Sequence, residues 1–362
     1  MEVIAVSRRF PPIRLSPRRI CIALGYAALL AVLGCKASEP DKLESAYVSA
    51  VQATLRDRVA AVYNRTGIVS NGERVQILER SKNGRFARVR SVRNEEGWLE
   101  VRYLAGDDVF NAFQRLSREN ATVPSQAIAL AKSDLNMHLE PSRDAEHLFQ
   151  LKQGEKLELL KRASSVKGGK QAAPVPPPAA MQAGKAVAPQ AAPLPVAYED
   201  WWLVRDPQKR CGWVLSRMVD MDVPLEVAQY AEGQRIMAVF VLNTVADKDK
   251  RVPQYLLLLN QPRDGTPQDF DQIRVFTWNA HRQHYETAYR EHPVEGMLPA
   301  SAGIDDFGAR EGKLPVFSVM LRDRTGTLNE RKYKLNGVMV RRVLAAGETP
   351  PPRAGHKRKK AS

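Results

Sequence analysis

Two stretches of the sequence decide its fold, because the second repeats the first. The first consists of GERVQILER at 72–80 and RFARVRSVRNEEGWLEVRYL at 85–104. The second consists of GEKLELLKR at 154–162 and DWWLVRDPQKRCGWVLSRMV at 200–219. The opening glycines of the two copies are 82 residues apart, whereas the two Gly-Trp pairs are 115 apart. The second copy therefore holds 33 extra residues between its halves, and within each half the register is constant.

The repeated unit has the pattern of β-structure. Apolar residues such as Val75 and Ile77 alternate with polar ones, which is typical of strands with one buried face. Gly72, Gly84 and Gly97 fall where turns are needed. The first copy spans 60 residues, 45–104. Short strands in a unit of this length can close only as a small barrel.

The motifs of the first copy resemble the bacterial Src-homology-3 (SH3) family of cell-envelope proteins. They are Gly72-Glu73-Arg74-Val75, Phe86 with Arg90, Gly97-Trp98-Leu99 and Tyr103-Leu104. The second copy departs from the pattern at Cys211 and at Met218-Val219. The resemblance implies small barrels that bind peptidoglycan peptides or a protein partner in the cell envelope.

The extra residues of the second copy form a Pro/Ala-rich insertion at 164–197, where 7 Pro and 10 Ala fill 17 of 34 positions. Such a composition buries little surface, so we expect a disordered spacer at a hairpin tip. The alternative is that Pro174–Pro178 forms a polyproline II ligand for a partner. Between the copies, Val109, Phe110, Phe113 and Leu116 recur at helical spacing and predict a short linker helix within 105–121.

The chain begins with the pattern of an export signal. Five arginines precede an uncharged run of 16 residues, Ile20–Cys35, which is shorter than a membrane-spanning helix. The run ends Val32-Leu33-Gly34-Cys35, which resembles a bacterial lipobox. We therefore predict a signal peptide, lipidation of Cys35, and anchoring at the cell envelope, on the periplasmic face of the outer membrane if the source has two membranes.

The charge distribution agrees with this location. The formal net charge is +15, of which residues 1–34 contribute +4 and residues 350–362 contribute +5, leaving +6 for the body. An excess this small does not indicate a specific nucleic-acid partner. Binding of the basic tail, 353–360, to polyanions or anionic membranes stays an open alternative.

The sequence offers weak signs of catalysis. Cys211 is the one exported thiol besides Cys35, and it lies inside a barrel motif. His281, His284 and His292 lack metal-site spacing, so we predict no metal and no cofactor. The alternative is a hydrolase of an envelope polymer that uses carboxylates of the C-terminal region, namely Asp269, Asp271, Asp305 and Asp306.

We therefore predict a non-enzymatic envelope protein of all-β fold, with tandem SH3-like barrels, one linker helix and an antiparallel β-rich domain. The predicted segments are signal peptide 1–34, linker 35–44, barrel 45–104, linker helix 105–121, barrel 126–219, antiparallel domain 232–345 and disordered tail 346–362. The candidate ligand-binding residues are Trp98, Tyr103, Trp201, Trp202, Arg205 and Trp213. Because Trp201 and Trp202 are neighbours on a strand, one should face outward unless a partner sheet covers both faces.

Overall fold

The structure is a computed structural model that describes residues 44–168 and 197–344. From Ser45 onward these residues belong to one unit. The predicted signal peptide, Cys35, most of the Pro/Ala-rich insertion and the basic tail lie outside the described residues. In the part of the chain that the structure describes, no helix is long and apolar enough to cross a membrane.

The first seven strands of the described chain form one antiparallel sheet, the first barrel, whose side chains surround a single core. They are β1 (Ser45–Val48), β2 (Gln52–Arg56), β3 (Arg65–Ser70), β4 (Arg74–Arg80), β5 (Phe86–Arg90), β6 (Glu96–Glu100) and β7 (Leu104–Gly106). Their order in the sheet is β3-β2-β6-β5-β4-β1-β7. Alternate side chains of these strands, including Val48, Leu55 and Val89, fill a core with no exposed surface at those three positions.

The next seven strands repeat this topology. They are β8 (Ala127–Ala131), β9 (Leu135–His138), β10 (His147–Leu151), β11 (Lys156–Val166), β12 (Tyr198–Arg205), β13 (Cys211–Leu215) and β14 (Val219–Met221). Their order, β10-β9-β13-β12-β11-β8-β14, matches that of the first barrel strand for strand. The repeat seen in the sequence is therefore a repeat of the fold.

The repeated Gly-Trp pairs have a packing reason. A Cβ atom at Gly97 would lie 2.7 Å from Leu55 Cβ, and one at Gly212 would lie 2.7 Å from Met137 Cβ. Both distances are shorter than a side chain can adopt without displacing its neighbour. A glycine is therefore required where the sixth strand of each barrel crosses the second.

Helix α1 (Asp107–Glu119) joins the two barrels, as the spacing of its apolar residues predicts. Phe113 is fully buried in the core of the second barrel, where its ring meets that of Phe149 edge to face at 5.2 Å. On the same helix, Phe110 stacks on Tyr47 of the first barrel with 3.9 Å between ring centroids. One helix thus packs against both barrels.

The C-terminal region is antiparallel and β-rich, as predicted. After the short helix α2 (Leu225–Ala228) it forms two four-stranded meanders. The first contains β15 (Arg235–Asp247), β16 (Lys250–Asn260), β17 (Gln272–Asn279) and β18 (His284–Glu291), and the second contains β19 (Gly296–Asp306), β20 (Lys313–Arg322), β21 (Leu328–Asn336) and β22 (Met339–Val343). Side chains of both sheets, such as Leu256 and Phe317, share one core with the second barrel.

The Pro/Ala-rich insertion starts later than its composition suggests. The β11–β12 ladder continues past Ser164, the first residue of the predicted insertion, to the pair Val166 and Tyr198. Strand pairing satisfies backbone groups regardless of side-chain composition, which explains the difference. The inserted residues therefore join the two ends of a long hairpin in the second barrel.

Candidate binding cleft between the barrels

A cleft of about 490 Å³ lies where the two barrels meet. We call it the interbarrel cleft. Its first wall is the β1–β2 connection with the ends of β2 and β6 and the turn that carries Tyr103. Its second wall comes from β9 and β10 and contributes Asn136, His147 and Gln150. Both barrels are therefore needed to form it.

Asn71 holds the two walls together. Its side-chain amide donates to the backbone carbonyls of Ser49 at 3.0 Å and Leu148 at 2.8 Å, and its Oδ1 accepts from the backbone N–H of Gln150 at 3.0 Å. One amide side chain thus satisfies backbone groups of both barrels, in the way that a neighbouring strand would. This fixes the second wall relative to the first.

Alternating aromatic and charged side chains line the first wall. The Arg56 guanidinium lies 4.3 Å from the ring centroid of Tyr63 and 3.4 Å from a Glu100 oxygen. Glu100 also pairs with Arg102 at 2.8 Å, and Arg102 donates to the Tyr103 hydroxyl at 2.8 Å. Because two arginines face one glutamate, this wall has an excess positive charge, which favours a ligand with free carboxylates.

Two groups in the cleft have unused hydrogen-bonding capacity. The side chain of Arg102 is 69% exposed, so most of its guanidinium donors face solvent. Across the cleft, Gln150 Oε1 is buried without a hydrogen-bond partner among the described residues. A buried acceptor without a donor is costly. A ligand with carboxylates for Arg102 and amide N–H groups for Gln150 would pair with both residues.

Of the predicted ligand-binding residues, Tyr103 is the one that lines the cleft. Trp98 and Trp213 are half-buried at equivalent positions of the two barrels and do not line it. Trp98 lies opposite Arg56 in the β2–β6 pairing, so it supports the strand that presents Arg56. The second barrel contributes to the cleft through β9 and β10 and not through Trp213.

Trp201 and Trp202 are each 1% exposed, so the strand is covered on both faces and neither ring faces outward. Trp202 belongs to the core that the second barrel shares with the C-terminal sheets. Trp201 points to the other face, where the His138 ring meets it edge to face at 5.5 Å. Both faces of β12 are covered, so neither ring is open to a ligand in this structure.

Arg205, also predicted to contact ligand, instead caps helix α1. It is 8% exposed and donates to the carbonyls of Asn120 at 2.6 Å and Val123 at 2.9 Å. Carbonyls at a helix C-terminus lack partners within the helix and carry partial negative charge, so a buried arginine there is stabilising. Its Nη1 is ion-paired with Glu158. These contacts give Arg205 a structural role.

The other candidates for chemistry do not assemble into a site. Burial raises the pKa of the Cys211 thiol, which disfavours the nucleophilic thiolate. Asp269 Oδ2 accepts from the N–H of Leu298, whereas Asp305 lies seven residues further along β19 and pairs with Lys332. Seven residues of strand span roughly 23 Å, so these carboxylates do not meet. Among the described residues, no three His, Cys, Asp or Glu side chains form a metal-binding group.

Sequence reasoning missed Arg56, Tyr63 and Gln150 because they lie outside the repeated stretches, and it missed Arg102 although this residue recurs as Arg217 in the second copy. Tyr63 and Arg56 approach each other only when the loop between β2 and β3 folds back. The one available signal was the Arg102-Tyr103 pair, which directly follows the Gly-Trp strand.

The comparisons with known proteins support the SH3 resemblance of the first barrel. Residues 54–105 match the family model of the bacterial SH3 domain, which confirms the resemblance of the first copy. No curated protein matches the chain. Solved structures with similarity include NlpC2 and NlpC1 from Trichomonas vaginalis, at 8% and 9% identity. They cover 80% and 81% of this chain and 92% and 89% of theirs, each with a TM-score of 0.16.

A third similar structure is an NlpC/P60 endopeptidase from Photobacterium damselae subsp. piscicida, at 8% identity and a TM-score of 0.21, covering 82% of this chain and 66% of its own. The last of these structures is named an endopeptidase, so the prediction of a non-enzymatic protein is not kept. TM-scores this low assign no catalytic residue to this chain.

Proposed function

We propose that the protein recognises peptidoglycan peptides in the interbarrel cleft. The observation that carries this proposal is the exposed guanidinium of Arg102 beside Tyr103, opposite the unpartnered acceptor of Gln150. Peptidoglycan peptides offer free carboxylates for the arginine and amide N–H groups for the acceptor. The match of residues 54–105 to the bacterial SH3 domain supports the same ligand class.

The size and lining of the cleft suit a peptide. Its volume lies within the range of roughly 300–1,000 Å³ that is usual for small-ligand sites. Tyr63 and Tyr103 supply flat apolar surface, and Gln52, Thr54 and Asn136 supply polar contacts. Because the walls come from two barrels joined through Asn71 and helix α1, the site is preformed. A preformed site loses little conformational entropy on binding.

Replacing Arg102 with glutamine tests this role. We expect the R102Q protein to bind purified cell-wall sacculi roughly tenfold more weakly, because a charge-assisted hydrogen bond contributes about 1.5–3 kcal/mol. The measurement is the fraction of protein that pellets with sacculi over a range of sacculus concentrations. The side chain is largely exposed, so the melting temperature should stay nearly constant.

Arg85→Gln is the matched control, because Arg85 is an exposed arginine of the same barrel outside the cleft. It removes the same charge and should leave pelleting unchanged. If R85Q and R102Q lost binding equally, general electrostatic attraction would replace the cleft as the explanation. If neither lost binding, the cleft would have no part in it.

We also propose that the protein is exported and held at the envelope by a lipid on Cys35. The lipobox-like sequence Val32–Cys35 after the apolar run supports this location. Cys35→Ser should move the protein from the membrane fraction to the soluble exported fraction and abolish its labelling by radioactive palmitate. Cys21→Ser is the control, since Cys21 lies within the predicted signal. An unlabelled wild-type protein would refute lipidation.

A further inference from the structure

A second cavity, of about 490 Å³, lies in the C-terminal region between the β16–β17 loop, the β18–β19 connection and the β20–β21 turn. It shares no lining residue with the interbarrel cleft. Asp271 forms part of its wall and is 4% exposed. We call this cavity the Asp271 pocket.

Asp271 is a buried carboxylate that lacks a counter-ion. Its Oδ1 has no hydrogen-bond partner, and the side chain forms no ion pair with the residues that the structure describes. By contrast, the neighbouring Asp269 is paired with Arg162 at 3.2 Å and with the N–H of Leu298 at 2.9 Å. An uncompensated buried charge is strongly unfavourable, so the fold retains Asp271 at a cost.

Two hydrogen bonds fix the main chain at Asp271. The N–H of Asp271 donates to the carbonyl of Leu259 at 2.9 Å, and its carbonyl accepts from the N–H of Val294 at 2.9 Å. Asp271 is therefore held between the end of β16 and the segment that leads into β19.

The remaining acidic residues of the pocket already have partners. Glu291 accepts from the Tyr289 and Tyr333 hydroxyls at 2.8 and 2.7 Å and pairs with Arg331 at 3.2 Å. Asp323 accepts from groups within its own turn, led by the Thr325 hydroxyl, and these bonds lower its pKa and keep it ionised. Glu295 pairs with Arg322 at 3.9 Å, so Asp271 is the acidic group of the pocket that lacks a partner within the described residues.

One arginine of the pocket is also free to bind. Arg331 is paired with Glu291, and Arg322 donates to the carbonyl of Gly326 at 2.9 Å. Arg324 is exposed and forms no hydrogen bond or ion pair through its side chain within the described residues. It projects from the turn that Asp323 rigidifies through bonds to Thr325 and Thr327.

We propose that the Asp271 pocket binds a free amino acid, with the ligand's ammonium on Asp271 and its carboxylate on Arg324. A buried anion and a free arginine in one cavity match the two opposite charges of a zwitterion. Its volume is large enough for such a ligand. The site lies on different strands from the interbarrel cleft and does not depend on the function proposed for that cleft.

Thermal shift and calorimetry on the full exported chain test the proposal, with glycine, L-alanine, L-lysine and L-glutamate as probes. At least one of them should raise the melting temperature and bind. Ethylamine and propionate, which each carry one of the two charges, should bind at least roughly tenfold more weakly than that amino acid. If none of the four bound at about 10 mM, or if ethylamine bound equally well, the proposal would be overturned.

Asp271→Asn separates a ligand role from a structural one. Because the variant removes an unpaired buried charge without changing shape, its melting temperature without ligand should rise, while amino-acid binding falls at least roughly tenfold. Glu330→Gln, at an exposed carboxylate of β21 outside the pocket, should change neither by much. A lower melting temperature for D271N, with binding retained, would show that Asp271 serves the fold instead.

Discussion

Arg162→Met is expected to lower the melting temperature by roughly 10 °C, corresponding to about 3–5 kcal/mol in the free energy of unfolding. The Arg162 side chain is 4% exposed and donates to Asp200 at 2.9 Å and to Asp269 at 3.2 Å. It also donates to the carbonyls of Thr266 and Gln268 at 3.1 and 3.2 Å. Its removal takes one donor away from each of these buried acceptors.

This substitution acts on the junction between the second barrel and the C-terminal sheets. Arg162 and Asp200 lie on the paired strands β11 and β12, whereas Asp269 precedes β17. Lys161→Met is the matched control, since Lys161 is exposed one residue earlier on the same strand, and its effect should stay within about 0.5 kcal/mol. Equal melting temperatures for R162M and K161M, measured by circular dichroism, would show that this junction does not depend on the buried ion pairs.

Phe113→Ala should destabilise the protein by a similar amount, about 3–5 kcal/mol, because it deletes a fully buried ring. The cavity would open between helix α1 and the second barrel, where Phe113 meets Phe149 and lies against the close approach at Gly212. Neither neighbour can fill the space, since both lie on paired strands of the second barrel. Denaturant unfolding measures the loss directly.

Arg115→Ala controls for helix propensity, because Arg115 is an exposed position of the same helix and alanine is the best helix former. Its free energy of unfolding should change by less than about 0.5 kcal/mol. If F113A unfolded at the same denaturant concentration as R115A, helix α1 would not be part of the second barrel's core. The helix would then be a mere connector of the two barrels.

The sequence predicted the fold class because its strongest signals are local and repeated. Alternation in β4 and the Gly-Trp pairs at 97–98 and 212–213 reflect strand faces and close strand crossings, both of which recur in the structure. The helical spacing of Val109 and Phe113 correctly predicted α1 and its buried face. These features depend on neighbours within a few residues, which a single sequence displays.

The candidate site could not be predicted in the same way. Strand alternation predicts that Trp201 and Trp202 lie on opposite faces of their strand, but it does not show what covers each face. The cleft arises from residues such as Arg56 and Gln150, which are distant in sequence and meet only after the barrels pack through Asn71. Tyr103 was found because it belongs to the repeated motif and also lies at the cleft.

Hydrogen–deuterium exchange on the chain without its predicted signal peptide, with and without soluble stem peptides released from purified sacculi, shows whether the interbarrel cleft binds peptide. If the interbarrel cleft binds these peptides, exchange should slow in 49–56, 99–103 and 147–150, the segments from both barrels that form its walls. R102Q should lose this protection. Unchanged exchange in all three segments at saturating peptide, or protection confined to other surfaces, would contradict the account.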